Sequence, residues 1–432
     1  MIFKEYNKFM KIIKADDLVF DQYVKNSNKP HFMQTSAWAK VNNKRGCKTH
    51  QLLFVNDSGS YVGSAMLIEK KILNYRSFYC PRGFICDYQN LDTLKEIVLT
   101  LKKYVKDNNG LYLKMDPDII IHKLDKDTNI VETFDENLKL IPYLESLGGK
   151  HRGFTKKFTE TSCPRYTFRV HVDSDDLLQT FHQTTRNLLK RNNPYGLKVY
   201  VGTSDDLDKF YKPMKETAIR KRMFLEDKSF FDDFYKILHK DAMSDLYIVT
   251  VNIKDLIDRY KKMISNAEQE LKSLETSNKK GRINDLRDQL NKYNKELNII
   301  SQINSEELVL SSMITAKFND KVWTVHGANS TNLPFLNANY EMYYQILKDS
   351  KQQGYKQVDF YGSEGEIDKK SDVYGIYQFK VRFGGDFDEF IGEFDFVVRP
   401  IAYKIINYLL VKRRRFKYKL QQKRISQTKR AS

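Results

Sequence analysis

The sequence predicts a mixed α/β (α+β) protein of two similar domains, with a long helical hairpin inserted into the second. Three observations carry that expectation. Strand-like and helix-like stretches alternate along the chain, as they do in layered α/β architectures. One supersecondary pattern is written twice at the same spacing, which points to duplicated domains. Just before its second copy lies a stretch with helical heptads on both sides of a polar turn.

The first copy opens with residues 50–71, "HQLLFVNDSGSYVGSAMLIEKK", two strand-like runs joined by the turn Asn56-Asp57-Ser58-Gly59. A helix-like stretch follows at 91–107, then the apolar strand "GLYLKMDP", closed by Pro117, which has no N–H for a ladder. The second copy is "ELVLSSMITAKFNDKVWTVHG" around Asn319-Asp320, then the helix-like "NYEMYYQILKDSKQQG" and the strand "QVDFYGS". Met66 to Tyr112 spans 46 positions and Met313 to Asp359 also spans 46, each beginning in a Ser-x-Met strand. The aromatic segment 374–390, "YGIYQFKVRFGGDFDEF", reads as a buried strand running into a turn at Gly384-Gly385, with Lys380 and Arg382 as unexplained charges.

Between the copies, Leu256, Tyr260, Met263, Ala267, Leu271 and Leu274 recur at spacings of three and four. After "TSNKKGR" the seam resumes with Ile283, Leu286, Leu290, Tyr293, Leu297 and Ile300. Two antiparallel helices of about 20 residues reach roughly 30 Å. A tight turn would suffice to join the flanking strands "DLYIVTVNI" and "ELVLSSMITAKF", so the hairpin projects from the body. It is either a dimerisation arm or a lever for a large partner. The basic tip, Lys279, Lys280 and Arg282, favours an anionic one.

Charge says the same of the whole chain. Its 73 Lys and Arg exceed its 55 Asp and Glu by 18. Ten of the cations, and no acid, fall in the last 22 residues, which leaves +8 on the other 410. Such an excess suits nucleic acid, a phosphorylated substrate or an acidic membrane surface. No apolar signal segment opens the chain, and "IINYLLV" near its end is too short to span a bilayer. Cys47, Cys80, Cys86 and Cys163 show neither CxxC nor zinc spacing, so reduced thiols in a cytoplasmic protein are expected, with no metal.

Nucleophile-elbow, zincin, Walker A and dinucleotide motifs are absent from the sequence. The nearest match to an acyl-CoA pyrophosphate loop, Arg382-Phe-Gly-Gly385-Asp-Phe387, puts Phe where a small residue must admit phosphate, which disfavours a CoA cofactor. Three polar features remain. Asp116 ends a buried strand, where a carboxylate can accept a proton or hold an amine, or else cap the next turn. Arg186 and Lys190, four apart on a helix, form a face that meets phosphates or simply water. His326 ends a strand before Gly327, as a site rim or a structural histidine.

Five segments in order carry a resemblance: "HFMQTSAWAKV", "FYCPRGFICDYQN", "LYLKMDP", "TRNLLKRNNPYGLKV" and "YGIYQFKVRFGGDFDEFIGEFDFVV". Together with the helical hairpin they resemble the FemABX aminoacyltransferases, which build peptidoglycan interpeptide bridges, over about residues 30–400. The resemblance implies two GNAT-like (acetyltransferase) domains. The first would take 1–150 and 391–432, the second 151–253 and 308–390, and the arm 254–307. It further implies transfer of an amino acid from aminoacyl-tRNA to a stem-peptide amine, usually a lysine ε-amine, on lipid II or UDP-MurNAc-pentapeptide, with neither metal nor CoA.

By the same resemblance Lys380 is the functional cation, Phe379 stacks on the tRNA 3′ end, and Asp116 is the carboxylate that removes the proton or holds the ammonium. Lys40 would bind a nucleotide diphosphate, and Arg220 or Arg222 a phosphate. His326 and Phe230 stand where a soluble-precursor member has Tyr, which puts contacts to that precursor in doubt. The arm's Lys279, Lys280 and Arg282, with Arg186 and Lys190, would meet tRNA. The basic C-terminal segment suits an anionic membrane, which favours lipid II as acceptor; its alternative role is nonspecific tRNA binding. A noncatalytic tRNA- or membrane-binding protein is the rival from another class.

Overall fold

The computed structural model describes residues 9–157, 160–221, 225–274, 279–371, 373–406 and 408–409. Arg222 and the basic segment from 411 onward lie outside the described residues. The chain divides into two compact units: unit 1 within Met1–His122, Glu132–Arg165 and Glu389–Ser432, and unit 2 within Lys123–Val131 and Tyr166–Asp388.

Unit 1 starts with β1 (Lys11–Lys14), α1 (Asp17–Lys25) and α2 (Ser36–Lys44). The expected hairpin is β2 (Lys48–Val55) and β3 (Tyr61–Ile72), followed by β4 (Tyr75–Cys80) and β5 (Ile85–Cys86). Helix α3 (Leu91–Asp107) is capped by the Asn90 side chain, which accepts from Thr93 N. It buries Leu94, Ile97, Val98, Leu101 and Val105, the spacing of one helix face. That crossover lets β6 (Gly110–Met115) lie parallel to β4, which no short turn could do. Then come β7 (Ile120–Leu124) and β8 (Ile130–Thr133), which join the sheet of unit 2, and α4 (Asp135–Leu138), α5 (Leu140–Ser146) and β9 (Gly149–His151) of unit 1.

Unit 2 contains β10 (Tyr166–His171), α6 (Gln183–Asn192), β11 (Lys198–Gly202), α7 (Leu207–Lys221), α8 (Lys228–Lys240) and β12 (Leu246–Asn252). The arm is α9 (Ile253–Leu274) and α10 (Lys280–Ser301). After it come β13 (Glu307–Phe318), β14 (Lys321–Asn329), α11 (Ala338–Gln352), β15 (Gln357–Ser363), α12 (Tyr374–Val381) and β16 (Asp386–Phe390); β17 (Phe394–Val397) belongs to unit 1.

The two sheets share one plan. In unit 1 the path β1-β2-β3-β4-β6-β17-β9 has a single parallel pair, β4 with β6. The second sheet runs β11-β12-β13-β14-β15-β10-β16-β7-β8, and its parallel pair, β14 with β15, holds the same place. Met66 and Met313 lie on the corresponding strands β3 and β13, Tyr112 and Asp359 on β6 and β15. The mixed α/β class and the doubled plan are therefore observed. Each unit has its own core, one around Phe54, Phe78, Leu101 and Phe394, the other around Phe168, Val249, Ile346 and Phe360.

The arm is an insertion at a β-turn, as its flanks suggest. β12 and β13 pair down to Asn252 and Glu307, and Ile253 N donates to Glu306 O. Its root is fixed by Tyr260, whose hydroxyl donates to the buried carboxylate of Glu296 at 2.9 Å. The same ring stacks on Tyr195, 5.6 Å away and nearly parallel.

One expectation fails. Residues 374–390 are not one strand: helix α12 comes first, Gly384-Gly385 turn the chain, and only then does β16 begin. Aromatic and β-branched residues favour strands only where a pleated neighbour is available. Here Tyr377 is instead buried against Phe168 and Phe387, and its hydroxyl donates to Lys126 O, which fixes a helix.

Candidate functional site

The parallel pair of unit 2 opens at its C-terminal end. β14 and β15 are in register only at Lys321–Gln357, Val322–Val358 and Trp323–Asp359, although the strands continue to Asn329 and Ser363. On the other side of β15, Thr167 faces Gly362 while Arg169 faces Asp359, so two residues of β15 oppose one of β10. That is a β-bulge, and it bends a strand. Tyr361, at its centre, has φ +60°, a conformation costly for a ring-bearing side chain.

Asp359 holds the bulge. Its buried carboxylate accepts from Tyr361 N at 2.7 Å, from Thr167 Oγ1, and from Arg169 Nε at 3.1 Å. The carbonyls of Tyr361, in the bulge, and of Gly362, just after it, are reached from α12. Both accept from Lys380 Nζ, the former at 3.0 Å. Lys380 is 6% exposed. Burial pushes its ammonium down to about 7, against the pull of the Asp359 carboxylate. An ammonium has three N–H donors, so two carbonyls leave one for a ligand.

The glycines that looked like a phosphate loop serve α12 instead. Gly384 and Gly385 have φ +74° and +88°. A Cβ on Gly384 would lie 2.6 Å from Thr180 O, and one on Gly385 2.3 Å from Arg169 O. The turn therefore packs backbone on backbone, with no room left for a phosphate. Arg382, left unassigned by sequence, donates to Tyr340 Oη at 3.3 Å, and its own carbonyl receives His182 N and Thr185 Oγ1.

The other expected unit 2 residues are spread over several elements. Phe379 is half-buried, its ring edge-on to Tyr340, Tyr343 and Phe383 at about 5 Å, so it is part of an aromatic cluster. Arg186 and Lys190 line a solvent-open cleft with Gln179, Gln183, Glu341 and Tyr344. Gln179 and Gln183 orient the Arg186 guanidinium, and burial raises the Glu341 carboxyl to about 6. His326, on β14, is boxed by Phe230, Phe231 and Phe234 of α8 at 4.9–5.5 Å. Arg220 is exposed near the end of α7. At the arm tip Lys279 and Lys280 are exposed, whereas Arg282 forms a two-bond pair with Glu270 that ties α10 to α9.

In unit 1, Asp116 follows β6, the counterpart of β15, so both catalytic candidates stand at the same strand end of their own unit. Asp116 is buried, accepts from Tyr79 Oη at 3.0 Å on both oxygens, and from Arg82 N at 2.8 Å. Burial raises its carboxyl to about 6; the Arg82 guanidinium opposes this and Glu393 adds to it. A small cleft lined by Arg82, Asp116, Cys163, Arg165, Phe390 and Glu393 opens beside it. The "CPRG" turn is built for this contact: Arg82 and Gly83 both have positive φ, and a Cβ on Gly83 would lie 2.9 Å from Pro117 Cα. Lys40, exposed on α2, pairs with Asp17 at 2.9 Å. Among the described residues no His/Cys/Asp/Glu cluster could hold a metal.

Sequence reasoning missed Asp359, Tyr361, Tyr79 and Arg82. An acid in the apolar strand "QVDFYGS" was a usable signal, because a buried carboxylate requires a partner. Nothing local marked the other three.

A family model described as the FemAB family matches residues 16–410. Lipid II:glycine glycyltransferase of Staphylococcus epidermidis (strain RP62A) is 27% identical over 415 residues, covering 93% of this chain and 96% of its own. The protein of the same name in Staphylococcus aureus (strain MRSA252) is 27% identical over 420 residues, with the same coverage. Among solved structures, the crystal structure of FemX matches with a TM-score of 0.73 and 26% identity, covering 92% of this chain and all of that one. A match over nearly the whole length, on the doubled sheet and its inserted arm, shows that this chain belongs to the FemAB family.

Proposed function

We propose that this protein transfers an aminoacyl group from aminoacyl-tRNA to the stem-peptide amine, the lysine ε-amine, of lipid II in peptidoglycan bridge synthesis. The observation that carries the reading is Lys380, a buried cation held by two carbonyls where β14 and β15 part. The names of the relatives supply the acceptor, and their glycine makes glycyl-tRNA the first donor to test.

The chemistry follows from charge. The acceptor amine attacks the ester carbonyl carbon, its C–N bond forms, and negative charge grows on the carbonyl oxygen. The ribose oxygen then leaves with the bonding pair and takes up a proton. A prearranged ammonium stabilises both oxygens, because it needs no reorientation as charge develops. We assign that role to Lys380, and assign to Asp116 the task of holding the acceptor ammonium or taking its proton. Lys279, Lys280, Arg186 and Lys190 are assigned to tRNA phosphates, where exposed cations release counterions. Arg282 already has a carboxylate partner and is assigned to the arm's own integrity.

The test is mass spectrometry of lipid II after incubation with the purified protein and charged tRNA. A mass gain of one or more aminoacyl residues is expected with the wild type. Lys380→Ala should lose at least about 100-fold in rate while its circular dichroism is unchanged. A near wild-type rate in that variant removes Lys380 from the chemistry. Salt-sensitive tRNA binding without any transfer would make the protein a noncatalytic binder.

A further inference from the structure

The end of the described chain carries a row of exposed apolar side chains. Residues 400–406, 408 and 409 are helical. Ile401, Ile405, Tyr408 and Leu409 are 79%, 55%, 59% and 47% exposed. Positions i, i+4, i+7 and i+8 fall on one helix face, so these four form a stripe. The opposite side is anchored in unit 1. Ile406 is buried, Tyr403 Oη donates to Asp395 at 2.8 Å, and the Tyr403 ring meets Tyr112 edge-on at 5.4 Å. The helix is thus held with its apolar row outward. Exposed Lys404 lies within that row, and the sequence continues from 411 with ten Lys or Arg and no acid.

We propose that this face docks on an anionic lipid bilayer, with Ile401, Ile405, Tyr408 and Leu409 at the headgroup–acyl boundary and Lys404 at the acidic headgroups, while the ten cations in the sequence of 411–432 add charge of the matching sign. Apolar residues on one side and cations beside them make an interfacial helix. Among the described residues no helix is long and apolar enough to cross a membrane, so docking is peripheral. A second copy of the chain is the poorer occupant, because pairing the stripes would set ten cations against ten without counter-charge. Nucleic acid would use the cations but leave the isoleucines in water. The inference deepens, and rests on, the reading of lipid II as acceptor, since that acceptor is itself embedded in a bilayer.

Flotation of the full-length protein with two kinds of vesicle tests it. Vesicles of phosphatidylglycerol and phosphatidylcholine in equal parts should bind the protein, more weakly as salt rises, and phosphatidylcholine alone should not. Ile401→Glu/Ile405→Glu should lower binding at least about tenfold. The same variant should keep wild-type transfer to detergent-dispersed lipid II and lose it on lipid II in vesicles. Unchanged flotation of the double variant overturns the proposal. So does dependence on Arg413→Gln/Arg414→Gln/Arg415→Gln alone, or a shift from dimer to monomer with vesicle binding intact. Vesicle binding without transfer to either form of acceptor sinks the functional reading and leaves the docking face standing.

Discussion

Lys380 owes its character to two opposing demands. Burial favours the neutral amine, while Asp359 and the carbonyls of Tyr361 and Gly362 favour the ammonium, and the outcome is a group that titrates near neutrality. Asp116 is poised in the opposite sense, raised by burial to about 6. A reaction needing charged Lys380 and ionised Asp116 should therefore speed up as pH rises through about 6 and slow as it rises through about 7. The check is kcat/KM against pH for wild type and Lys380→Arg. An active Arg variant should lose the alkaline limb, because a guanidinium stays charged. A wild-type rate that climbs through pH 7 would instead make Lys380 a neutral base. The same group acts on stability. The unfolded lysine keeps its ordinary value of 10.5, so it binds more protons than the folded one between about 7 and 10.5. Stability from this group thus increases with pH across that window, and Lys380→Met should flatten the slope in chemical denaturation.

At the scale of elements, the turn after α12 decides whether that lysine is aimed correctly. Gly385 combines a left-handed φ with a Cβ position 2.3 Å from a carbonyl oxygen, so alanine there is both strained and obstructed. Gly385→Ala should cost about 1–3 kcal/mol and lower activity in proportion to the displacement of α12. Gly281, in the first turn of α10, meets nothing within 4 Å, so Gly281→Ala should be neutral or stabilise by up to about 1 kcal/mol. Differential scanning calorimetry of the pair separates the two cases, and equal melting temperatures would deny the turn its role. α12 also shows why its segment misled. Its aromatics suit a strand as well as a helix, and only Phe168, Phe387 and the bulge of β15, far away in sequence, choose between them.

For the whole molecule, the arm poses the sharpest question. Its root belongs to the unit 2 core through Ile253, Leu256, Tyr260 and Ile300, whereas the distal turns are mostly exposed. Replacing Ser265–Asn291 by a short glycine turn should leave the fold intact, since β12 and β13 pair directly beneath it. Affinity for charged tRNA should fall at least about tenfold, and its dependence on salt should become shallower. Unchanged tRNA affinity, with a wild-type dimer becoming a monomer, would make it a dimerisation arm instead.

Much of this architecture was set by local sequence. Period-two runs with a turn between them fix β2–β3 and β13–β14, the 3.6 period fixes α3 at 91–107, and the heptads fix the arm, because backbone geometry repeats over short distances. The 46-residue echo likewise marks the duplication. What the tertiary structure decided is the site. The bulge at Tyr361, the Asp359 carboxylate that holds it, and the two carbonyls on Lys380 come from strands and a helix separated by up to about two hundred residues. The same holds for Tyr79 and Arg82 around Asp116. Burial and pairing across such distances set the protonation of both groups, and no periodicity in the sequence encodes a desolvation energy.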